Sequence, residues 1–236
     1  MNKNISMIVF GVLAMGATTS NVLAGTIIAA ADSNISSNNT FFNNVFSSQS
    51  VYGRYGTSDT WATSNWSASV SSVASSYSSG ASLTATNLVG VDWFIAASGS
   101  LFSASELSVL SNFANSGGNI WVTGEGPSYT GILASGNQVL NSLGSLMSFS
   151  LLTASGTGTA EGAHPYLTGA PTWNYSYSGG VTGGTTLYRA SNNQVSLVSY
   201  ETIGVSEVPI PAAAFMFAPA LLGFLGLRRK AKNTVA

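Results

Sequence analysis

The sequence contains no cysteine, a single histidine and very little charge. The absence of cysteine excludes disulfide bonds and every reaction that uses a thiol nucleophile. Charged residues make up 6% of the chain, against about 25% in an ordinary soluble domain, so uncharged polar residues must cover the surface. One histidine and scattered carboxylates do not have the spacing of a zinc or EF-hand calcium site, and no metal or cofactor is expected.

The few charges are unevenly placed along the chain. Residues 25–207 hold all eight acidic residues but only two basic ones, Arg54 and Arg189, so this segment has a net charge of −6. A protein that binds nucleic acid needs a basic surface for the phosphate backbone. Because this segment has none, no nucleic-acid partner is expected.

The amino terminus has the three-part pattern of a secretory signal peptide. Lys3 provides a basic start, Ile5–Gly16 is an apolar run, and Val22–Ala24 places small or compact residues before a cut after residue 24. The apolar run is shorter than the roughly 18 residues of a membrane-spanning helix. We therefore expect residues 1–24 to be a cleaved signal peptide, with an uncleaved anchor as the alternative.

The carboxyl terminus combines a proline motif, an apolar stretch and a basic cluster. The motif comprises Val208, Pro209, Ile210, Pro211 and Ala212, and the basic cluster comprises Arg228, Arg229, Lys230 and Lys232. As a helix, the uncharged stretch Ala212–Leu227 would be about 24 Å long, slightly shorter than a hydrocarbon core. The basic residues would keep its far end in the cytoplasm. A single C-terminal membrane helix is therefore expected, with a buried core helix as the alternative.

This tail, residues 208–232, closely resembles the PEP-CTERM sorting signal in its Val-Pro-Leu-Pro-Ala (VPLPA) variant, with Ile210 in place of the leucine. The resemblance implies recognition by a membrane-embedded exosortase, which removes the tail near the proline motif. Such proteins occur in Gram-negative bacteria that make exopolysaccharide and form biofilms or flocs. The implied route is export by the secretion machinery, a transient stay in the inner membrane, and release to the cell surface or extracellular matrix.

The segment between these signals, residues 25–207, is expected to be one exported α/β domain. Thr26–Ala31 has the apolar pattern of a buried strand, and Asn39–Phe46 has helical spacing. The segment Trp61–Ser79 is interpreted as a helix, with a flexible connection as the alternative. Its clearest unit is Val91–Gly124, which reads as strand, helix, strand and so predicts parallel pairing. In this unit Ser103 and Glu106 form a Ser-x-x-Glu capping box.

A further helical pattern runs from Ile132 to Leu146. From Trp173 onward the residue pattern changes from helical spacing to the alternation that is typical of strands. Aromatic residues there alternate with polar ones, and Thr185–Ala190 and Val195–Tyr200 predict a hairpin. The expected architecture is a three-layer α/β fold with a mainly parallel sheet and a β-rich carboxyl-terminal part.

The order of elements resembles the class I glutamine amidotransferase-like fold, a flavodoxin-like architecture, and especially its noncatalytic members. Similar segments are Ser-Gly-Gly-Asn-Ile-Trp-Val at Ser116–Val122 and His-Pro-Tyr-Leu-Thr-Gly at His164–Gly169. Active members carry Gly-x-Cys-x-Gly in the turn after the strand that corresponds to the one at Ile120, where this chain has Gly124-Glu125-Gly126. The resemblance therefore implies that amidotransferase chemistry has been lost.

Three residues form a candidate catalytic group: Glu125, Asp32 and His164. They could meet at the carboxyl ends of parallel strands, where α/β sheets form their clefts, with a carboxylate orienting the histidine to activate water or a serine. No Gly-x-Ser-x-Gly elbow supports a serine nucleophile. The structural alternative is that His164 begins a turn with Pro165 and Glu125 caps its own turn.

Aromatic residues form a second candidate group, because an exposed ring can stack on a sugar face. One cluster contains Tyr52, Tyr55, Trp61 and Trp66, and the other contains Trp173, Tyr175 and Tyr177, with Trp61, Trp66, Trp173 and Tyr175 taken as the ligand-binding candidates. The alternative is that these rings pack in the core or across strands.

Together these patterns favour an exported, noncatalytic surface or matrix protein associated with exopolysaccharide. One alternative is a secreted hydrolase, which would need a pocket that joins Glu125, Asp32 and His164. The other is a periplasmic small-ligand-binding protein, which would need a deep apolar pocket.

Overall fold

The computed structural model describes residues 25–32, 37–55, 60–191 and 195–203. The strands are β1 (Gly25–Ala30), β2 (Ser50–Tyr55), β3 (Ser76–Gly80), β4 (Trp93–Ala97), β5 (Asn119–Thr123), β6 (Ser148–Ala160), β7 (Thr172–Thr182), β8 (Thr185–Arg189) and β9 (Ser196–Ile203). The helices are α1 (Asn39–Phe46), α2 (Thr60–Ser71), α3 (Ala104–Asn115) and α4 (Thr130–Ser142). Short 3₁₀ turns occur at Ala85–Leu88, Pro127–Tyr129 and Pro165–Leu167.

The strands of the described residues form one mixed sheet in the order β3-β2-β4-β5-β1-β9-β7-β6-β8. Pairing is parallel from β3 to β1 and antiparallel from β1 to β8. β8 also pairs with β9, so β9, β7, β6 and β8 close into a ring. The predicted three-layer, mainly parallel fold is therefore wrong, because the chain after α4 forms long antiparallel strands instead of further strand–helix units.

The strand–helix–strand unit that the sequence predicts is confirmed. β4 and β5 pair in parallel, with Trp93 opposite Asn119. At the start of α3, the Ser103 hydroxyl accepts a hydrogen bond from the Glu106 N–H, and the Glu106 carboxylate accepts one from the Ser103 N–H at 2.8 Å. This reciprocal pair satisfies two backbone amides that the helix itself leaves without partners. The predicted β8–β9 pairing is also confirmed.

Other predicted elements need correction. The helix predicted over Trp61–Ser79 ends at Ser71, and the residues that follow pair with β2 as strand β3. Strands β2 and β6 were not predicted. In the part of the chain that the structure describes, no helix is long and apolar enough to cross a membrane; the predicted signal peptide at 1–24 and sorting tail at 208–232 lie outside that part.

The core occupies both faces of the sheet. Ile28 and Trp121 face α1 and α2, whereas Ile27 and Phe94 face α3 and α4. Neighbouring residues of β1 thus point to opposite faces, and the four residues from Ile27 to Ala30 are all buried, which explains why this part of the strand is a continuous apolar run. On the α1 side, the Phe42 ring lies 5.0 Å from that of Trp121, centroid to centroid.

A buried ion pair connects β2 to the start of α3. The Arg54 Nε donates to Glu106 Oε1 at 2.9 Å, and both side chains are buried. Arg54 also donates to the carbonyl oxygens of Ser100 and Leu101, and its guanidinium lies 3.9 Å from the centroid of the Phe102 ring. Burial favours the neutral form of Glu106, but hydrogen bonds from Ser103 and Leu83 and the Arg54 charge outweigh it, so the pKa of Glu106 is lowered.

Replacing Glu106 by glutamine should leave the Arg54 charge buried without its counter-charge. We expect Glu106→Gln to lower the free energy of unfolding by about 3 kcal/mol at pH 7, measured by denaturant titration. A carboxylate with a lowered pKa stabilises the fold above its unfolded pKa and loses this contribution as pH falls. The difference between wild type and Glu106→Gln should therefore shrink as pH falls below about 4.5, the ordinary value for glutamate.

The matched control is Glu161→Gln, which removes a carboxylate from the Arg189–Glu161 pair. The side chains of that pair are 28% and 38% exposed, so solvent screens their attraction and the loss should stay below about 1 kcal/mol. Equal losses in the two variants would show that burial of the Arg54–Glu106 pair has no special weight.

Candidate functional site

Two of the three predicted catalytic residues lie at the carboxyl ends of neighbouring strands. Asp32 follows β1 and Glu125 follows β5, and the parallel register sets Ala30 opposite Thr123. The Gly124 N–H donates to the Ala30 carbonyl at 2.7 Å, which continues the pairing beyond the strands. The sequence therefore places these carboxylates at the correct edge of the sheet. Asp32 is only 2% exposed, however, and Glu125 only 5%.

The β6–β7 hairpin covers this edge of the sheet. The Ser176 N–H donates to Asp32 Oδ2 at 2.5 Å. The Ala31 carbonyl accepts from the Gly179 N–H at 3.0 Å and from the Ser178 hydroxyl at 2.9 Å. These bonds hold residues 176–179 over the position where an open α/β sheet would form its cleft. Among the described residues, the carboxylates therefore lie beneath the hairpin with little exposure to solvent.

The third predicted catalytic residue, His164, lies elsewhere. Its Nδ1 accepts a hydrogen bond from the Tyr166 N–H at 3.3 Å at the start of the Pro165–Leu167 turn, the structural role that the sequence left open. The imidazole packs against Tyr166 and Tyr200 at centroid distances of 4.6 and 4.5 Å. Burial lowers the pKa of His164, which favours the neutral ring near pH 7.

The structure does not unite His164 with the two carboxylates. Tyr200, against which the imidazole packs, is paired with Ile28 of β1. Ile28 precedes Asp32 by four residues, which corresponds to about 13 Å along a strand. Among the described residues, His164 thus contacts Tyr166 and Tyr200, whereas a hydrolase using Glu125, Asp32 and His164 would need the imidazole beside the two carboxylates.

Three of the four predicted ligand-binding aromatics are core residues. Trp66 and Trp173 are fully buried and Tyr175 is 6% exposed, all in the cluster beneath α1 and α2. Their assignment to a ligand-binding surface is therefore wrong, because a sugar cannot reach rings that fill the core. Trp61 lies in α2, and its side chain falls outside the described part.

Tyr177, from the same predicted aromatic cluster, is exposed. Trp173 and Tyr175 point inward at alternate positions of β7, and continued alternation would also bury Tyr177. Instead its φ is 54°, in the left-handed region, and its side chain is 60% exposed. Its N–H donates to the Ser155 hydroxyl at 3.0 Å across the hairpin. A left-handed backbone costs a non-glycine residue about 1–2 kcal/mol, so the surrounding hairpin holds this ring outward against a conformational preference.

Two further large side chains are exposed on the hairpin and on the turn that contacts it. Leu151 in β6 is 65% exposed, and Tyr129 in the Pro127–Tyr129 turn is 53% exposed. Both strands of the hairpin contact this turn. We call Tyr129, Leu151 and Tyr177 the hairpin surface. Residues 126–160 and 165–188 contain no charged residue, so this surface offers rings, hydroxyls and backbone groups without formal charge.

An open groove of about 330 Å³ lies between α1 and α2. It is lined by Asn39, Phe42, Asn43, Ala68, Ser69, Ser72 and Val73. No acid, base or charged group lines this groove, and Phe42 is a buried core residue. The groove does not have the deep apolar character that the small-ligand-binding alternative would need.

No group of three or more histidine, aspartate or glutamate side chains is placed to hold a metal ion among the described residues. Comparison of the chain with protein-family models, curated proteins and solved structures gives no match. The geometry of the chain and the patterns at its two ends are therefore the basis for assigning a function.

The position of the β6–β7 hairpin over the strand ends depends on Gly179, where the hairpin backbone lies close to that of Glu125. A Cβ at Gly179 would lie 2.9 Å from the backbone oxygens of both Glu125 and Ser150. Because backbone atoms cannot move aside as a side chain can, Gly179→Ala should displace the hairpin and destabilise the protein by about 1–3 kcal/mol in denaturant unfolding. Gly99→Ala is the control, since its Cβ would meet nothing closer than 3.9 Å. Equal stability of the two variants would contradict the proposed contact.

Proposed function

We propose that this protein is an exported, noncatalytic cell-surface or matrix protein that contacts neutral exopolysaccharide through the hairpin surface. The observation that carries the proposal is Tyr177, which is held outward in a left-handed conformation on the hairpin that buries Asp32 and Glu125. A tyrosine ring exposed among hydroxyl groups can stack on the face of a sugar while the hydroxyls bond its edge.

The electrostatic character of the hairpin surface supports a neutral partner. The chain between the signals has a net charge of −6, which would repel an anionic polymer at long range. The two long segments that form and flank the hairpin surface carry no charge of their own. Stacking and hydrogen bonding to an uncharged sugar are therefore the interactions that this surface offers.

The relation of the hairpin surface to the chain ends supports display at a membrane or cell surface. Gly25, at the start of β1, is paired with Ile203, at the end of β9. Both proposed signals therefore connect to the same end of the strands. Tyr177 lies beyond the opposite end of β1, beside Asp32. A tail held at the membrane by an exosortase-type sorting signal would thus leave the hairpin surface pointing away from it.

Removing the Tyr177 ring should weaken retention on polysaccharide. We expect Tyr177→Ala and Tyr177→Gly each to weaken retention on a column of the host's own exopolysaccharide by about tenfold, the effect of losing a stacked ring worth about 1.4 kcal/mol. Tyr177→Gly should also unfold at an equal or higher denaturant concentration than wild type, because glycine adopts a positive φ without strain.

Leu146→Ala is the matched control, since Leu146 is 86% exposed but lies before β6, outside the hairpin surface. It should leave retention unchanged. Wild-type protein that passes through the column without delay would refute the carbohydrate partner. Loss of retention in Tyr177→Gly together with loss of stability would instead indicate a structural role for the ring.

Export and processing can be tested by intact-mass analysis of protein recovered from the host's membrane, surface and medium fractions. We expect a species that starts at Gly25 and ends between Val208 and Pro211, outside the inner membrane. A species that retains Arg228–Lys232 in the inner membrane would contradict tail removal and indicate a permanent anchor.

A further inference from the structure

β3 is an open edge of the sheet. Within the described residues it is the only strand that pairs on one side alone, because the opposite end of the sheet closes on itself through β8 and β9. Its five residues pair with β2 in continuous register, from Ser50 opposite Ser76 to Arg54 opposite Gly80. An edge of this kind presents unpaired backbone groups to which another strand can bind.

The backbone groups that face outward can be identified by alternation along the sheet. Ser50 directs both its N–H and its C=O towards Asp92 on the β4 side. The next residue of β2, Val51, therefore faces β3, where it is opposite Tyr77. In parallel pairing the groups of Ser76, Ser78 and Gly80 then point to β2. This leaves the N–H and C=O groups of Tyr77 and Ser79 on the outer side.

Within the described residues, β3 has no charge, proline or bulge that would protect its edge. Natural edges carry lysine, proline, bulges or inward-pointing charges, whereas residues 60–91 contain no charged residue and no proline. The β2–β3 register has no bulge, and Ser76, Ser78 and Ser79 are exposed. The hydroxyls of Ser50 and Ser76 pair across β2 and β3 at 2.8 Å, so one serine pair already joins neighbouring strands on this face.

We propose that two copies of this chain associate through β3, in antiparallel orientation about a two-fold axis at Ser78. In this register Tyr77 lies opposite Ser79 of the partner subunit, so that all outward groups of both strands are used in four backbone hydrogen bonds. Ser78 then meets Ser78 of the partner subunit as a non-hydrogen-bonded pair, the closer type of antiparallel contact. The pairing is independent of the hairpin surface and of the proposed carbohydrate partner.

The charge distribution favours a second copy of this chain as the partner that binds β3. Residues 25–207 have a net charge of −6, so two copies of this segment repel each other across most surfaces, but the edge segment 60–91 is free of charge and β3 strands can approach with little repulsion. A five-residue edge buries less area than a permanent dimer interface. The dimer is therefore weak in dilute solution and strengthens where many copies are held close together on one surface.

Charge substitutions at Ser78 test both the pairing and its register. Ser78→Lys and Ser78→Asp each place like charges opposite one another at the two-fold axis, whereas an equimolar mixture of the two places opposite charges there. In sedimentation equilibrium of the full chain in detergent, at low salt, each variant alone should dimerise about fivefold or more weakly than wild type. The mixture should recover wild-type affinity or exceed it. Ser128→Lys, an exposed serine in the Pro127–Tyr129 turn, should behave as wild type.

A second variant and a second measurement exclude misfolding as the cause. Ser79→Pro removes an outward N–H but no bond to β2, and proline is accepted at such edge positions, so it should keep the wild-type melting temperature and lose the dimer. In wild type, amide exchange at Tyr77 and Ser79 should slow with rising protein concentration, while exchange at Ser78 should not. A wild-type chain that stays monomeric to about 1 mM, or a dimer that is insensitive to both Ser78 charges, would overturn the proposal.

Discussion

Strand β1 is hydrogen-bonded on both sides, by a parallel neighbour and by an antiparallel one, and the rest of the sheet is arranged around it. Ala29 is opposite Val122 of β5 on one side and Ser199 of β9 on the other. Backbone groups buried at this depth must be paired, so β1 determines the positions of both halves of the sheet. Where β1 ends, the Ala31 carbonyl still needs partners, and the hairpin supplies them from Ser178 and Gly179. The cover over the strand ends thus follows from the hydrogen-bonding needs of a central strand.

Elements with strong local signals could be predicted from the sequence. α1 and the capped helix α3 were predictable because apolar spacing and the Ser103–Glu106 capping box act within a few residues. β3 and β6 were not, because Ser-rich and Gly-rich segments have no apolar alternation and become strands only through their neighbours. The error in fold class has the same origin. The sequence of β4, α3 and β5 indicates parallel pairing locally, but nothing local indicates that the chain after α4 turns antiparallel and closes into a ring.

The candidate site was likewise predictable from the sequence only in part. The parallel register of β1 and β5 places Asp32 and Glu125 at the same end of the sheet, as the sequence indicates, but Ser176 of the covering hairpin lies 144 residues after Asp32 in the chain. Alternation through Trp173 and Tyr175 is also visible in the sequence, whereas the reversal at Tyr177 is not. Tyrosine has no preference for the left-handed region, so only the tertiary contacts of the hairpin explain why this ring is exposed.

The register of β1 and β9 also determines how the domain would carry mechanical load. Six residue pairs join these strands, from Gly25 opposite Ile203 to Ala30 opposite Val198. If Ile203 is tethered and a polymer is gripped near Tyr177, tension runs lengthwise along the strands. The hydrogen bonds between antiparallel strands lie perpendicular to the strand direction, so such tension shears them together instead of peeling them apart one by one. A sheet loaded in this direction resists extension far better than one unzipped from its end.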